Sequence, residues 1–140
     1  MPQTYDTQNV FAKILRGEMP CYKVFEDDVA LAFMDIMPRA QGHTLVIPKS
    51  PARTFLDLPV DMIGPFMQRV QKVSRAAVLA MRSDGLTLQQ FNESAGGQVV
   101  FHLHFHVLPR MAGVALKPPG NMGDKAEIEA NAEKIRRAIG

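Results

Sequence analysis

The sequence predicts an α+β fold: an antiparallel sheet of about five strands around one long helix, with a further helix at the C-terminus. Three observations carry that prediction. Short apolar runs recur at Tyr22 to Glu26, Val29 to Asp35, His43 to Lys49 and Leu86 to Phe91, bounded by Gly, Pro or Asp, as strands joined by short connections do. From Asp57 to about Arg82 the period changes, with Ile63, Phe66, Met67, Val70, Val73, Ala77 and Met81 recurring every three or four residues, which lays one apolar stripe along a helix. Last, the stretch His102-Leu103-His104-Phe105-His106-Val107-Leu108-Pro109-Arg110 alternates imidazoles with large apolar side chains, which is the period of a strand.

Taken in order, residues 1 to 8 are polar and expected to be loose. A short helix starts at Asn9, with Val10, Phe11, Ile14 and Leu15 on one face, Gly17 in place to end it and Pro20 beyond. The next two runs flank Asp27-Asp28 and form a hairpin. Asp35 ends an otherwise apolar strand, where it can be a turn cap or a ligand contact, and spacing alone favours the cap. The loop Ile36 to Gly42 then leads into the strand that His43 opens. Gly64-Pro65 predicts an irregular start to the long helix, and Asp84-Gly85 predicts its stop. Asn92 to Gln98 is a small-residue loop in which Gly96-Gly97 frees backbone N–H groups to approach an anion. Because neighbouring strands pair, this loop is expected at the end of the histidine strand. After Pro118-Pro119-Gly120 a helix is predicted from about Asp124 to Ala138, with Ala126, Ile128, Ala132, Ile135 and Ile139 as its apolar set. No internal repeat and no second domain are visible, so residues 1–140 read as a single domain.

Three of the four histidines sit in the alternating stretch. In a strand they share one face with Cα atoms about 6.6 Å apart, while Phe101, Leu103, Phe105 and Val107 face the core. Such a row has three meanings. It can be a solvated face, it can ligate a metal given a third ligand and an open position, or it can perform nucleophilic and acid–base chemistry on a phosphate ester. His43, the Gly96-Gly97-Gln98 turn and the row together offer imidazoles and amide donors without a Ser or Cys nucleophile. That set suits an anion with a phosphorus centre, because imidazole attacks at neutral pH and leaves readily when protonated.

Composition narrows the class. Charged residues make up 21% and apolar ones 46%, with a net charge of +2 and no basic block, so neither disorder nor a nucleic-acid partner is implied. There is no hydrophobic leader and no apolar run long enough to span a membrane, and the single cysteine, Cys21, has no internal disulfide partner. A cytoplasmic protein is the expectation, with Cys21 as a small buried filler.

His102-Leu103-His104-Phe105-His106-Val107-Leu108 fits the pattern His-x-His-x-His-x-x with apolar x, and in it the chain resembles the histidine triad (HIT) superfamily of nucleotide hydrolases and transferases. The resemblance covers nearly the whole chain. Val10 to Pro20 looks like the family's N-terminal segment, Ala32 to Pro38 like its ribose-binding strand end, and Gly42 to Lys49 and Asn92 to Gln98 like its other two blocks. The resemblance implies that His104 attacks the α-phosphorus of a purine nucleotide to form a nucleotidyl-histidine intermediate. It implies that His102 orients His104, that His43 supports that relay, and that His106 contacts phosphate oxygens together with Asn92, Gly97 and Gln98. Asp35 would accept the ribose hydroxyls, and Phe11, Ile14, Met19, Phe33 and Ile36 would sandwich the base. No metal or cofactor is implied. Zinc-binding relatives carry cysteines where this chain has Asn9 and Ala12, and a histidine near Pro51. Val99 stands where relatives often have Ser or Thr near the leaving group.

The resemblance favours a phosphoramidase of the Hint-like branch, with a dinucleoside polyphosphate hydrolase as the alternative; both branches imply a homodimer. A nucleotide-binding regulatory protein with incidental catalysis is a reading from another class, and a metal-dependent hydrolase a third.

Overall fold

The computed structural model describes residues 4–139. Among the described residues ten elements follow one another, of which eight matter for the site: helix α1 (Val10–Leu15), strands β1 (Lys23–Glu26), β2 (Ala30–Met34) and β3 (Thr44–Pro48), the long helix α2 (Val60–Met81), strands β4 (Gly85–Gln89) and β5 (Phe105–Arg110), and helix α3 (Lys125–Ile139). The strands form one antiparallel sheet in the order β1-β2-β3-β5-β4. The fold class predicted from sequence is the one observed.

Parity along the strands decides everything that follows. Leu31 and Phe33 of β2, Leu45 and Ile47 of β3, and the ring of Phe11 form one apolar cluster against α1. Ala30, Ala32 and Met34, Val46, and Leu103 and Val107 belong to the other cluster, under α2 and α3. Successive side chains point to opposite faces, and Leu45 pairs with His106 while Val46 pairs with Phe105. The imidazoles therefore emerge on the α1 face, and their apolar neighbours anchor the other. Leu103 has no exposed surface, and truncating such a residue to Ala costs about 2–5 kcal/mol.

Each helix is set by local chemistry. Asn9 caps α1, its Oδ1 accepting from the Ala12 amide at 2.9 Å. The long helix starts cleanly at Val60 and runs through Pro65, where sequence predicts irregularity. A proline there forfeits one bond, to the carbonyl four residues earlier, and the buried stripe of Phe66, Val70, Val73 and Ala77 outweighs it. The helix ends where the spacing predicts, at Met81 with Arg82 as its cap. Arg82 takes the left-handed conformation (φ 51°), and the Arg82 and Ser83 amides close back on the Leu79 and Val78 carbonyls. Helix α3 packs Ile128, Ala132 and Ile135 into the α2 cluster. Among the described residues no helix is long and apolar enough to cross a membrane.

Two expectations are corrected. The histidine stretch is not one continuous strand: β5 begins at Phe105, so His106 lies in the ladder while His102 and His104 precede it in irregular backbone. The irregularity arises because Leu103 gives its amide to the Ala52 carbonyl, 2.8 Å away in the loop after β3, instead of continuing the sheet. Residues 1–3 lie outside the described residues, but the rest of the N-terminal segment is held rather than loose: the Thr4 carbonyl accepts from Arg53, and the Tyr5 hydroxyl bonds to His102.

Candidate active site

His43, His102, His104 and His106 converge on the α1 face, all but the last more than nine-tenths buried. Their hydrogen-bond partners fix where each proton sits, since a carbonyl can only accept and an amide N–H can only donate. His104 Nδ1 lies 2.6 Å from the His102 carbonyl, so Nδ1 carries the proton and Nε2 is left with a free lone pair. His102 Nε2 lies 2.8 Å from the Pro48 carbonyl and is likewise protonated, which makes its Nδ1 the acceptor for the Tyr5 hydroxyl at 2.6 Å. The Arg39 amide donates to His43 Nδ1 at 3.1 Å, so His43 Nε2–H donates to His106 Nδ1 at 3.0 Å. That leaves His106 with its proton on Nε2. The site thus presents a nucleophilic nitrogen on His104 and an N–H donor on its neighbour His106, whose ring centroid is 5.0 Å away.

Burial sets the charge. It pushes His43 down to about 3 and His102 and His106 down to about 4, and it lowers His104 as well. The positive charge of Arg39 adds to the depression at His43 and His106. All four rings are neutral near pH 7. Asp35 moves the opposite way, raised because it is desolvated. Its Oδ1 caps the turn by accepting from the Met37 amide at 2.8 Å, and its Oδ2 is 3.4 Å from His43 Nε2. The residue therefore makes the turn cap and also faces the site.

The relay differs from the expectation in its route. His43 serves His106 rather than His104, and His102 orients His104 through its backbone carbonyl instead of its ring. Of the residues expected around the base, Phe11 meets Phe33 edge-on at 5.3 Å and meets His104 edge-on at 4.9 Å. Ile14 packs beside them, and Met19 and Ile36 stay substantially exposed at 42% and 44%.

The Asn92 to Gln98 loop sits where expected, beyond the end of β4 that pairs with His106, but its polar groups point inward. The Gly96, Gly97 and Gln98 amides all donate to the Glu93 and Ser94 carbonyls, so they form no open anion nest. The Gln98 side chain bridges the Glu93 amide and the Arg53 and Val100 carbonyls. Asn92 accepts from the Phe55 amide and pairs with Gln90. These residues build the loop. Gly97 has φ +99°, and a Cβ there would press on the Phe91 ring at 3.3 Å; that ring in turn packs against His106. Val99, which follows, is 83% exposed, and its amide has no internal partner among the described residues.

Sequence reasoning passes over Tyr5, Phe91 and the Arg53–Glu93 pair. Arg53 holds both carboxylate oxygens of Glu93 at 2.8 and 2.9 Å and lies over the Phe101 ring at 4.2 Å. Glu93 occupies φ 63°, ψ 165°, a strained conformation for a side-chain-bearing residue. Sequence separation hides these contacts, since 97 residues divide Tyr5 from His102 and 40 divide Arg53 from Glu93.

One metal-like cluster exists among the described residues: Asp35, His43 and His106 each place a ligand atom within 4.8 Å of the others. The donor set does not suit an ion. His43 receives an amide proton at Nδ1 and so must keep its own proton on Nε2, the nitrogen that faces the cluster.

Four neutral imidazoles thus converge on one face of the sheet, beside the apolar rings of Phe11 and Phe33. A family model for the HIT domain matches residues 16–113, and the chain belongs to the HIT family, in its Hint-like branch. It is similar to adenylylsulfatase HINT3 of Arabidopsis thaliana, 41% identical over 76% of this chain, although it spans only 54% of that relative's length. It is also similar to adenosine 5'-monophosphoramidase hnt1 of Schizosaccharomyces pombe, 33% identical over 93% of this chain and 97% of the relative. Among solved structures, a Hit-like protein involved in cell-cycle regulation from Bartonella henselae is 49% identical, covers 97% of this chain and 99% of its own, and superposes with a TM-score of 0.92.

Proposed function

We propose that this protein is a nucleotide hydrolase or transferase acting at the α-phosphorus of purine nucleoside 5′-phosphoramidates and related substituted nucleotides. One observation carries the reading: the His102 carbonyl, 2.6 Å from His104 Nδ1, leaves Nε2 of that buried ring as an unprotonated, aimed nucleophile. His104 Nε2 attacks phosphorus, the bond to the leaving nitrogen breaks as the amine takes a proton from solvent, and a nucleotidyl-histidine forms. Water then cleaves the P–N bond to His104, its oxygen going to phosphorus and its proton to solvent, which gives the nucleoside monophosphate and restores the neutral ring. His106 Nε2–H donates to a phosphate oxygen, steadied by His43. Asp35 receives the ribose hydroxyls, and the base lies against Phe11, Ile14, Met19, Phe33 and Ile36. Asn92, Gly97 and Gln98 shape the phosphate loop, from which the exposed Val99 amide reaches the anion. Two relatives support the substrate class, since an adenylylsulfatase and a monophosphoramidase both take an adenylyl group carrying a heteroatom leaving group.

The test is mass spectrometry of protein quenched without acid during turnover of adenosine 5′-phosphoramidate, comparing wild type with His104→Ala. An adenylyl adduct on His104, absent from the variant along with turnover, supports the mechanism. Undiminished turnover by His104→Ala refutes it.

The reading extends to assembly: the whole chain forms one HIT domain, and two copies pair. The outer edge of the sheet, β4, leaves Leu86 and Leu88 partly exposed beside Met67 and Leu79 of α2, an apolar strip next to unpaired strand backbone. A second copy covers both at once. Light scattering that finds a monomer at micromolar concentration, or a Leu88→Arg variant that remains dimeric, rejects this arrangement.

A further inference from the structure

We propose that Tyr5 is a positioning residue of this active site: its hydroxyl, donating to His102 Nδ1, holds in place the segment whose carbonyl aims His104. The inference rests on the reading that His104 is the nucleophile. It starts from a problem the backbone poses. His104 is oriented by the carbonyl of His102, and that residue lies outside the sheet ladder, which begins at Phe105. Strand pairing does not fix the carbonyl; the Leu103 amide in the same peptide plane, bonded to the Ala52 carbonyl, fixes it from one side and the His102 side chain from the other.

The His102 ring supplies the side-chain part of that anchoring. It is fully buried, and both of its nitrogens are engaged, Nε2–H to the Pro48 carbonyl at 2.8 Å and Nδ1 from the Tyr5 hydroxyl at 2.6 Å. The Tyr5 ring also meets it edge-on, with centroids 5.6 Å apart at 70°. A ring gripped at both ends cannot pivot, so the carbonyl on the same residue keeps its 2.6 Å contact with His104 Nδ1. The N-terminal segment is itself tied down, because Arg53 donates to the Thr4 carbonyl and Asn9 donates to the Asp6 carbonyl through its side chain.

The same hydrogen bond has an electrostatic consequence. Tyr5 and His104 are the titratable groups that face His102, and from β3 it meets the Pro48 carbonyl. A donor on Nδ1 favours the neutral ring, because a protonated ring would need that nitrogen to donate. His104 gains positive charge when it attacks phosphorus. A second positive charge beside it opposes that step, so keeping His102 neutral protects the nucleophile at mildly acidic pH.

The experiment uses the full chain with Tyr5→Phe, which keeps the ring and its edge contact and removes the hydroxyl alone, and Tyr5→Leu, which removes both. Steady-state kinetics with adenosine 5′-phosphoramidate are followed across pH, and the imidazole nitrogens by ¹⁵N NMR. Tyr5→Phe is expected to lower kcat about five- to tenfold with little change in KM, to move the acid limb of the kcat profile to higher pH, and to raise the titration midpoint of His102. Tyr5→Phe that matches wild type in kcat, in pH profile and in the His102 resonances overturns the proposal, even where Tyr5→Leu loses activity, since only packing then matters. Should wild type itself show no turnover, the enzymatic reading fails. The His104 Nδ1–H resonance then decides: a shift in Tyr5→Phe sustains the positioning role, and an unmoved signal overturns it.

Discussion

Replacing His43 with Phe tests the proton placement on which the site depends. Phe keeps a planar ring in a position that is 1% exposed, so the packing survives, but two hydrogen bonds vanish: the Arg39 amide loses its acceptor and His106 Nδ1 loses its donor. Each unsatisfied buried group costs about 1–3 kcal/mol, which lowers stability by roughly 2–4 kcal/mol when partial relaxation is allowed. On the proposed mechanism, catalysis suffers separately. Without the His43 N–H, nothing holds the His106 proton on Nε2, and the tautomer with a lone pair facing the phosphate becomes accessible. A lost hydrogen bond to a charged group is worth about 1.5–3 kcal/mol, which is about a 10- to 150-fold fall in kcat/KM. The assay pairs thermal unfolding with kcat/KM for adenosine 5′-phosphoramidate. A variant that unfolds earlier but keeps kcat/KM within about twofold of wild type shows that His43 only packs, and the tautomer argument falls.

Acidification should destabilise the fold in a defined window. Three buried histidines titrate near 3 to 4 in the folded protein against 6.5 when free, so the unfolded chain binds more protons as pH falls. Stability is full above 6.5 and declines toward 4; a melting temperature flat across that range contradicts the neutral-ring assignment. Gly97→Ala forces a Cβ to within 3.3 Å of Phe91 at φ +99°, costing about 1–2 kcal/mol and displacing the ring that supports His106. Nucleotide affinity by calorimetry should drop with stability, and unchanged binding removes the loop from the site. At the helix end, Arg82→Gly relieves a left-handed residue at φ 51° and should raise stability by about 1 kcal/mol, read from chemical unfolding; a loss of stability means that the arginine side chain outweighs its backbone strain.

The sequence by itself determined most of the elements and which side chains gather at the site. Alternation from His102 to Val107 puts the imidazoles on one face and Leu103, Phe105 and Val107 on the other, and that partition survives even though the strand begins only at Phe105, whereas Phe101 stays outside the core beneath Arg53. The period of three to four from Ile63 to Met81 marks the helix that covers the sheet, because burial of a stripe is decided by spacing alone. Tertiary structure decided the partners of each nitrogen. Which carbonyl faces His104, which amide faces His43 and which hydroxyl reaches His102 depend on residues 2, 4 and 97 positions away, and hydrogen bonding carries no sequence period. The glycine loop makes the same point in reverse: the sequence shows backbone free to bind an anion, whereas the folded loop uses the Gly96, Gly97 and Gln98 amides to hold itself together. Side-chain type fixes what a residue can do, and only the folded surroundings settle which atom does it.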